Sequence, residues 1–136
     1  MALLFLDVDG LKRINDRFGH RAGDGYLIDV AEGLRRHLRN SDIIGRLGGD
    51  EFAILLPRTN PEQAKVIARR MLDSVRTTDL RQQQASATAA IGMAFVPDHA
   101  VSGEELLHCA DLAMYIAKLH GGDRAQLYDP SIDESA

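Results

Sequence analysis

The chain has 136 residues, of which 45% are hydrophobic and 26% charged, proportions that suit one soluble globular domain around a single core. Its formal net charge of −4 supplies no basic field for sequence-independent nucleic-acid binding, so a strongly anionic ligand would need a metal or individually placed Lys and Arg. The single Cys109 excludes an intramolecular disulfide and fits a reducing cytoplasm, and no apolar stretch approaches membrane-spanning length.

Met1-Ala2 runs straight into Leu3-Leu4-Phe5-Leu6 with no basic start and no cleavage site, the beginning expected of a domain cut from a longer protein. Residues 2–8 form a nearly continuous apolar run, which predicts a strand buried on both faces. The run ends in Asp7-Val8-Asp9-Gly10, and alternation puts the Asp7 and Asp9 side chains on one face. Leu11, Ile14 and Phe18 follow at helical spacing. A helix opening directly off the strand has free N–H groups beside the aspartates, an anion-friendly place. Lys12 sits in that first turn against the dipole preference for acids, which points to an anion; a solvated surface lysine is the alternative.

Asp24, after the Gly-rich stretch of residues 19–25, is expected to N-cap the next helix. Tyr26, Leu27, Val30, Ala31, Leu34 and Leu38 form its buried stripe, with Arg35, Arg36 and Arg39 on the other side. Two apolar runs, residues 43–47 and 52–56, flank Gly48-Gly49-Asp50-Glu51 and predict a β-hairpin with two carboxylates at or just past its tip. Like charges side by side repel, so a cation is expected opposite them; an acidic solvated turn is the plainer alternative.

Asn60-Pro61 starts a helix whose buried stripe is Ala64, Ile67, Ala68, Met71, Leu72 and Val75. Residues 77–84 read as a polar loop and 85–96 as a strand in which Gly92 allows close approach. Ser102 and Glu105 make a capping-box pattern ahead of a helix burying Leu106, Leu107, Ala110, Ala113, Met114 and Ala117. Cys109 is most simply a residue in or near the core. Gly121-Gly122 ends this helix, residues 125–128 form a last strand, and the polar tail after residue 130 is expected to fray.

The order is β, α, α, β, β, α, β, α, β. Without one inserted helix it is an α+β, ferredoxin-like β-α-β-β-α-β unit, with a mostly antiparallel central sheet covered by helices. That topology sets the end of the first strand beside the hairpin and predicts one cluster of Asp7, Asp9, Asp50 and Glu51. Four carboxylates need a cation, and all-oxygen ligation without His or Cys points to Mg²⁺ or Mn²⁺ rather than Zn²⁺. Hard metals beside a helix N-terminus and a lysine describe a nucleotide polyphosphate site.

Five motifs carry a resemblance. They are Asp7-x-Asp9-x-x-Lys12-x-x-Asn15-Asp16, Gly19-His20-x-x-Gly23-Asp24, Gly48-Gly49-Asp50-Glu51-Phe52, Ala90-Ile91-Gly92, and Ala110-Asp111-x-Ala113-x-Tyr115-x-Ala117-Lys118. In this order and spacing they resemble the GGDEF domain, a family of diguanylate cyclases and their degenerate relatives with a nucleotidyl-cyclase-like fold. The likeness assigns residues 1–130 to that domain and leaves 131–136 as a flexible tail.

The resemblance implies condensation of two GTP molecules to cyclic di-GMP and two pyrophosphates, with two domains meeting face to face in a homodimer. It implies metal binding by Asp7, Asp50, Glu51 and the Val8 carbonyl, with Asp50 and Glu51 also catalytic. It implies guanine reading by Asn15 and Asp24, whose acceptors suit the guanine N1–H and amino group. Gly10, Leu11, Lys12 and Lys118 would hold phosphates, with Arg124 as a further candidate. Asp9 would orient the loop rather than bind metal.

Arg39-Asn40-Ser41-Asp42 stands where family members bind their own product, with Arg70 as a further contributor; a helix-end arginine and a turn aspartate are the plainer alternative. Two departures stand out. Gly121-Gly122-Asp123 replaces the family's frequent Gly-Arg-Asn, and a supporting segment ahead of the first strand, which in the family leads to an upstream sensory domain, is not in this chain. Such a parent could be membrane-anchored while this domain, cytoplasmic, contacts no membrane. Two readings follow: a cyclase, or a catalytically weak receptor for cyclic di-GMP. An RNA-binding ferredoxin-like module is disfavoured by 5% aromatic content and the lack of aromatic pairs for base stacking.

Overall fold

Strand β1 (Ala2–Asp9) is the centre of the molecule, and the rest of the chain is laid against its two edges and two faces. The computed structural model describes residues 1–78 and 87–131. After β1 come α1 (Leu11–Phe18), α2 (His20–Arg35), β2 (Ile43–Arg46), β3 (Glu51–Leu56), α3 (Pro61–Thr77), β4 (Thr88–Phe95), α4 (Gly103–Leu119) and β5 (Arg124–Leu127). The sheet order is β2-β3-β1-β4-β5. The first four strands are antiparallel neighbours in the ferredoxin-like order, and β5 runs parallel to β4. Structure thus agrees with the expected α+β class.

The apolar run of β1 is buried on both faces because both faces are covered. Leu4, Leu6 and Val8 join Phe52, Ile54 and Ile91 in the larger core, which takes in the buried stripes of α2 and α3. Leu3 and Phe5 face the other way, into a smaller core with Ala110, Ala113 and Met114 of α4. Gly92 permits this second layer. A Cβ there would lie 2.0 Å from the Ala110 carbonyl oxygen and 2.4 Å from the Met114 nitrogen, so α4 rests on bare β4 backbone.

Helix starts follow the sequence with one exception, while α2 stops at Arg35, short of the expected Leu38 and Arg39. Asn60 caps α3 through the Gln63 N–H, and the Gln63 side chain accepts from the Asn60 N–H. Ser102 caps α4 through the Glu105 N–H, while the Glu105 carboxylate accepts from Val101. Asp24, however, is not an N-cap. Helix α2 begins at His20 behind Gly19, so Asp24 lies inside it. The correction has a physical cause: Gly19 N–H is held by the Asn15 carbonyl at 2.8 Å and Gly23 N–H by the Gly19 carbonyl at 3.2 Å, which starts the helix one turn early. Helix α3 reaches Thr77, where a loop is expected; residues 79–84 of that loop, and residues 85 and 86 of the expected strand, lie outside the described residues, as do residues 132–136 of the tail. Among the described residues no helix is long and apolar enough to cross a membrane.

Candidate active site

The register of the sheet assembles the acidic site. Asp7 is paired with Glu51 across β1 and β3, which puts both side chains on the α4 face. The Val8 N–H donates to the Asp50 carbonyl at 3.0 Å, drawing the hairpin against the end of β1. Carboxylate oxygens of Asp7, Asp50 and Glu51 all lie within 4.8 Å of one another. From α4, on the same face, Lys118 donates its ammonium to Asp7 Oδ2. Lys118 thus brings one positive charge to the acids, through Asp7.

Lys118 does not satisfy the group. Asp7 is 6% exposed through its side chain, and its Oδ1 is buried with no hydrogen-bond partner. Burial pushes the Asp7 carboxyl up to about 6, Asp50 adds to the push, and the bond from Lys118 only partly opposes it. For Lys118, burial works against the charge, but Asp7, Asp50 and Asp9 outweigh it and raise the ammonium above its ordinary value. A buried carboxylate oxygen without a partner, in an all-oxygen group of three acids, fits a hard divalent cation. These residues could hold such an ion.

Asp9 does not join the cluster, contrary to the four-carboxylate expectation. Its Oδ2 accepts from Thr88 Oγ1 at 3.0 Å and from the Asp123 N–H at 3.2 Å. Although alternation puts Asp9 on the face of Asp7, β4 and the turn before β5 offer it donors that the hairpin does not.

Beside the acids, α1 opens at Gly10, whose left-handed φ of 83° turns the chain off β1. The helix has no side-chain cap and no acid in its first turn, so the N–H groups near Leu11 and Lys12 remain available. Lys12 is exposed and makes no ion pair among the described residues. Asn15 comes from the middle of this helix. Its Oδ1 is buried without a partner, and a Cβ on Gly23 would sit 1.7 Å from it. Asp24, next along α2, is exposed.

Other expected residues stand apart. Arg124 donates from Nε to the Gly122 carbonyl at 3.1 Å and lines a groove between α3 and β5 rather than meeting the acids. Arg39 binds Asp42 through Nε and Nη2, and its Nη2 also reaches Pro57 O at 2.8 Å and Thr59 Oγ1 at 2.9 Å. The Asp42 side chain is fully covered. Burial alone would raise its carboxyl, but the Arg39 donors more than reverse that and hold it low. Arg70 lines a separate groove between α2 and α3 with Arg36 and His37.

Two arginines at the site escaped the sequence reading. Arg46 donates from Nη2 to the Gly49 carbonyl at 2.6 Å and from Nε to the Gly48 carbonyl at 3.1 Å, clamping the hairpin turn. Arg13 places Nη2 3.0 Å from where a Gly10 Cβ would be. Neither has a motif position that marks it; Arg46 folds back on the turn backbone, which a linear pattern does not display.

The family profile described as "Diguanylate cyclase, GGDEF domain" matches residues 1–124. The chain belongs to the GGDEF family. It is 46% identical over 140 residues to the diguanylate cyclase TpbB of Pseudomonas aeruginosa, covering 97% of this chain and 32% of that protein; the chain thus spans about a third of that relative's length. Among solved structures, the GGDEF domain of the same TpbB (also called YfiN) superposes with a TM-score of 0.92 at 41% identity, covering 98% of this chain and 80% of that one. The GGDEF domain of DgcB from Caulobacter crescentus, solved with c-di-GMP, gives a TM-score of 0.84 at 28% identity, covering 93% and 76%. These neighbours place the chain in the nucleotidyl-cyclase-like fold.

Proposed function

We propose that this GGDEF domain is a diguanylate cyclase domain that condenses two GTP into cyclic di-GMP and two pyrophosphates. The observation that carries the reading is the unpartnered, buried Asp7 oxygen inside the Asp7, Asp50 and Glu51 group, one residue pair from the uncapped start of α1. Asp7, Asp50, Glu51 and the Val8 carbonyl would hold Mg²⁺ or Mn²⁺. The ion would offset charge on the triphosphate and favour ionisation of the attacking 3′-hydroxyl.

The protein's own groups do the rest. The N–H groups at Gly10 and Leu11, with Lys12, receive phosphate oxygens at a helix N-terminus. Lys118, already charged and beside Asp7, turns its remaining donors to the same phosphates. Asn15 offers a desolvated acceptor to guanine, and Asp24 a second. An adenine would leave that buried acceptor facing its own acceptor at N1, which is the basis for discrimination. Glu51 assists at the metal or takes the 3′-hydroxyl proton. Since one domain binds one GTP, two domains meet face to face, and each 3′-hydroxyl attacks the other's α-phosphate as pyrophosphate leaves. An upstream sensory domain in a cytoplasmic or membrane-anchored parent would control that encounter.

The test is incubation with GTP and Mg²⁺ followed by chromatography for cyclic di-GMP, with Glu51→Gln as the control. Absence of both product and GTP binding from the parent protein refutes the reading.

A second reading, a cyclic di-GMP receptor, also has an observation behind it. Arg39 is held rigidly by Asp42, Pro57 and Thr59 yet leaves Nη1 without a partner among the described residues. A pre-ordered guanidinium suits stacking on guanine or pairing with phosphate. Because Arg39 covers Asp42, the aspartate would act first by fixing the arginine, with the Arg70 position of a neighbouring domain as a weaker contributor. Calorimetry with cyclic di-GMP, wild type against Arg39→Ala, decides it: equal affinities reject this site.

A further inference from the structure

The turn that ends α4 is pinned from two sides by residues outside the carboxylate group. Gly121, Gly122 and Asp123 have φ of 106°, 70° and 52°. The two glycines accept this at no cost, but Asp123 does not, and a non-glycine residue persists in left-handed backbone where its surroundings over-determine it. Two bonds do so. The Asp123 N–H donates to Asp9 Oδ2 at 3.2 Å, and Asp123 Oδ1 accepts from Arg76 Nε at 2.7 Å. Asp9 Oδ2 is itself steadied by Thr88 Oγ1 at 3.0 Å. Gly122 is fitted to this arrangement: a Cβ there would lie 2.5 Å from Asp9 Oδ2. An arginine at this position, frequent in the family, is incompatible with Asp9 where it stands.

The turn is continuous with the last turn of α4. The Gly121 N–H donates to the Lys118 carbonyl and the Gly122 N–H to the Ala117 carbonyl, each at 3.0 Å. Strand β1 therefore holds the end of α4 at two points two residues apart: Asp7 receives the Lys118 ammonium, and Asp9 receives the Asp123 amide. Arg76 adds a third hold from α3, packed on the opposite face of the sheet, and shares its guanidinium between Asp123 and Asp73 on its own helix. A lysine has a long flexible stem, so the position of its ammonium depends on where the helix end is held.

We infer that Asp9 and Arg76 are positioning residues: through the turn of residues 121–123 they set where the end of α4, and with it Lys118, stands relative to Asp7. The functional half of this inference rests on the cyclase reading above; the mechanical half does not. Arg76 acts only through the turn, whereas Asp9 also attracts the Lys118 ammonium directly; Asp123 is the residue that joins them.

The experiment compares wild type with Arg76→Ala, Arg76→Lys and Asp9→Ala, each checked by thermal melting. Amide hydrogen exchange reads the turn. Exchange at residues 121–123 should quicken by about tenfold or more in Arg76→Ala and Asp9→Ala, since each variant removes one of the two bonds that pin Asp123 and so loosens the turn. Affinity for Mg²⁺ and the α,β-methylene analogue of GTP, which cannot turn over, reads the site. It should weaken about fivefold to tenfold in both variants, the equivalent of one hydrogen bond, with partial recovery in Arg76→Lys. The losses in Arg76→Ala and Asp123→Asn should be non-additive in a double-mutant cycle. Unchanged exchange overturns the inference, and so does faster exchange with unchanged affinity for the analogue. Wild type that binds no analogue refutes the cyclase reading instead, and the exchange rates alone then support or overturn the pinned turn.

Discussion

Metal-free, this domain should become less stable as the pH rises through about 6, with Asp7 as the cause. The Asp7 carboxyl moves from 3.8 in the unfolded chain to about 6 in the fold, because burial outweighs the bond from Lys118. A group with a higher pKa in the fold binds its proton more tightly there. Its stabilising contribution is therefore complete below about pH 3.8 and is lost as the pH climbs through about 6. At ~1.4 kcal/mol per pH unit, that interval corresponds to about 3 kcal/mol. Asp7→Asn keeps the shape and abolishes the titration. Urea unfolding between about pH 4 and pH 8 in EDTA should show wild type falling by up to about 3 kcal/mol relative to Asp7→Asn. Adding Mg²⁺ at the upper end should restore wild type and leave the asparagine variant nearly unmoved, since the ion replaces the proton at Oδ1. Parallel pH curves for the two proteins, or equal responses to Mg²⁺, would refute the reasoning.

Two further substitutions test the packing behind the site. Gly23→Ala would put a methyl 1.7 Å from Asn15 Oδ1, so the amide must leave its place. GTP affinity should fall roughly tenfold or more while ATP binding changes little, read by competition between the two nucleotides; unchanged selectivity would remove Asn15 as a guanine reader. Gly92→Ala meets helix backbone at 2.0 Å, which cannot yield as a side chain would. It should cost about 3 kcal/mol in a urea titration and also lower nucleotide affinity by shifting Lys118; a stable variant would show that α4 can ride outward without strain.

Much of the fold was legible because its causes are local. The both-face apolar run of β1, the Asn60-Pro61 start of α3 and the glycines after α4 each act within a few residues, and each element formed where expected. The error at Asp24 is instructive for the same reason. Its residue type suits a cap, yet the Asn15 carbonyl captures Gly19 from the preceding helix and starts α2 earlier. The acidic site was legible only through topology. Once β1 and the β2-β3 hairpin are neighbours, register alone sets Asp7 against Glu51. The fate of Asp9 was not legible, since its partners Thr88 and Asp123 lie 79 and 114 residues away.

The sequence by itself determined most of the secondary structure, the family and three acids that gather, along with a fourth, Asp9, that does not, because apolar period, capping chemistry and turn residues act over short distances. Only the tertiary structure decided which charges are shared. Lys118 is given to Asp7, Arg76 reaches Asp123, and Arg124 turns away to the α3 side. A charged side chain settles on whichever partner the packed helices bring within reach, and that reach is a property of the assembled sheet and its two covering layers rather than of any segment read alone.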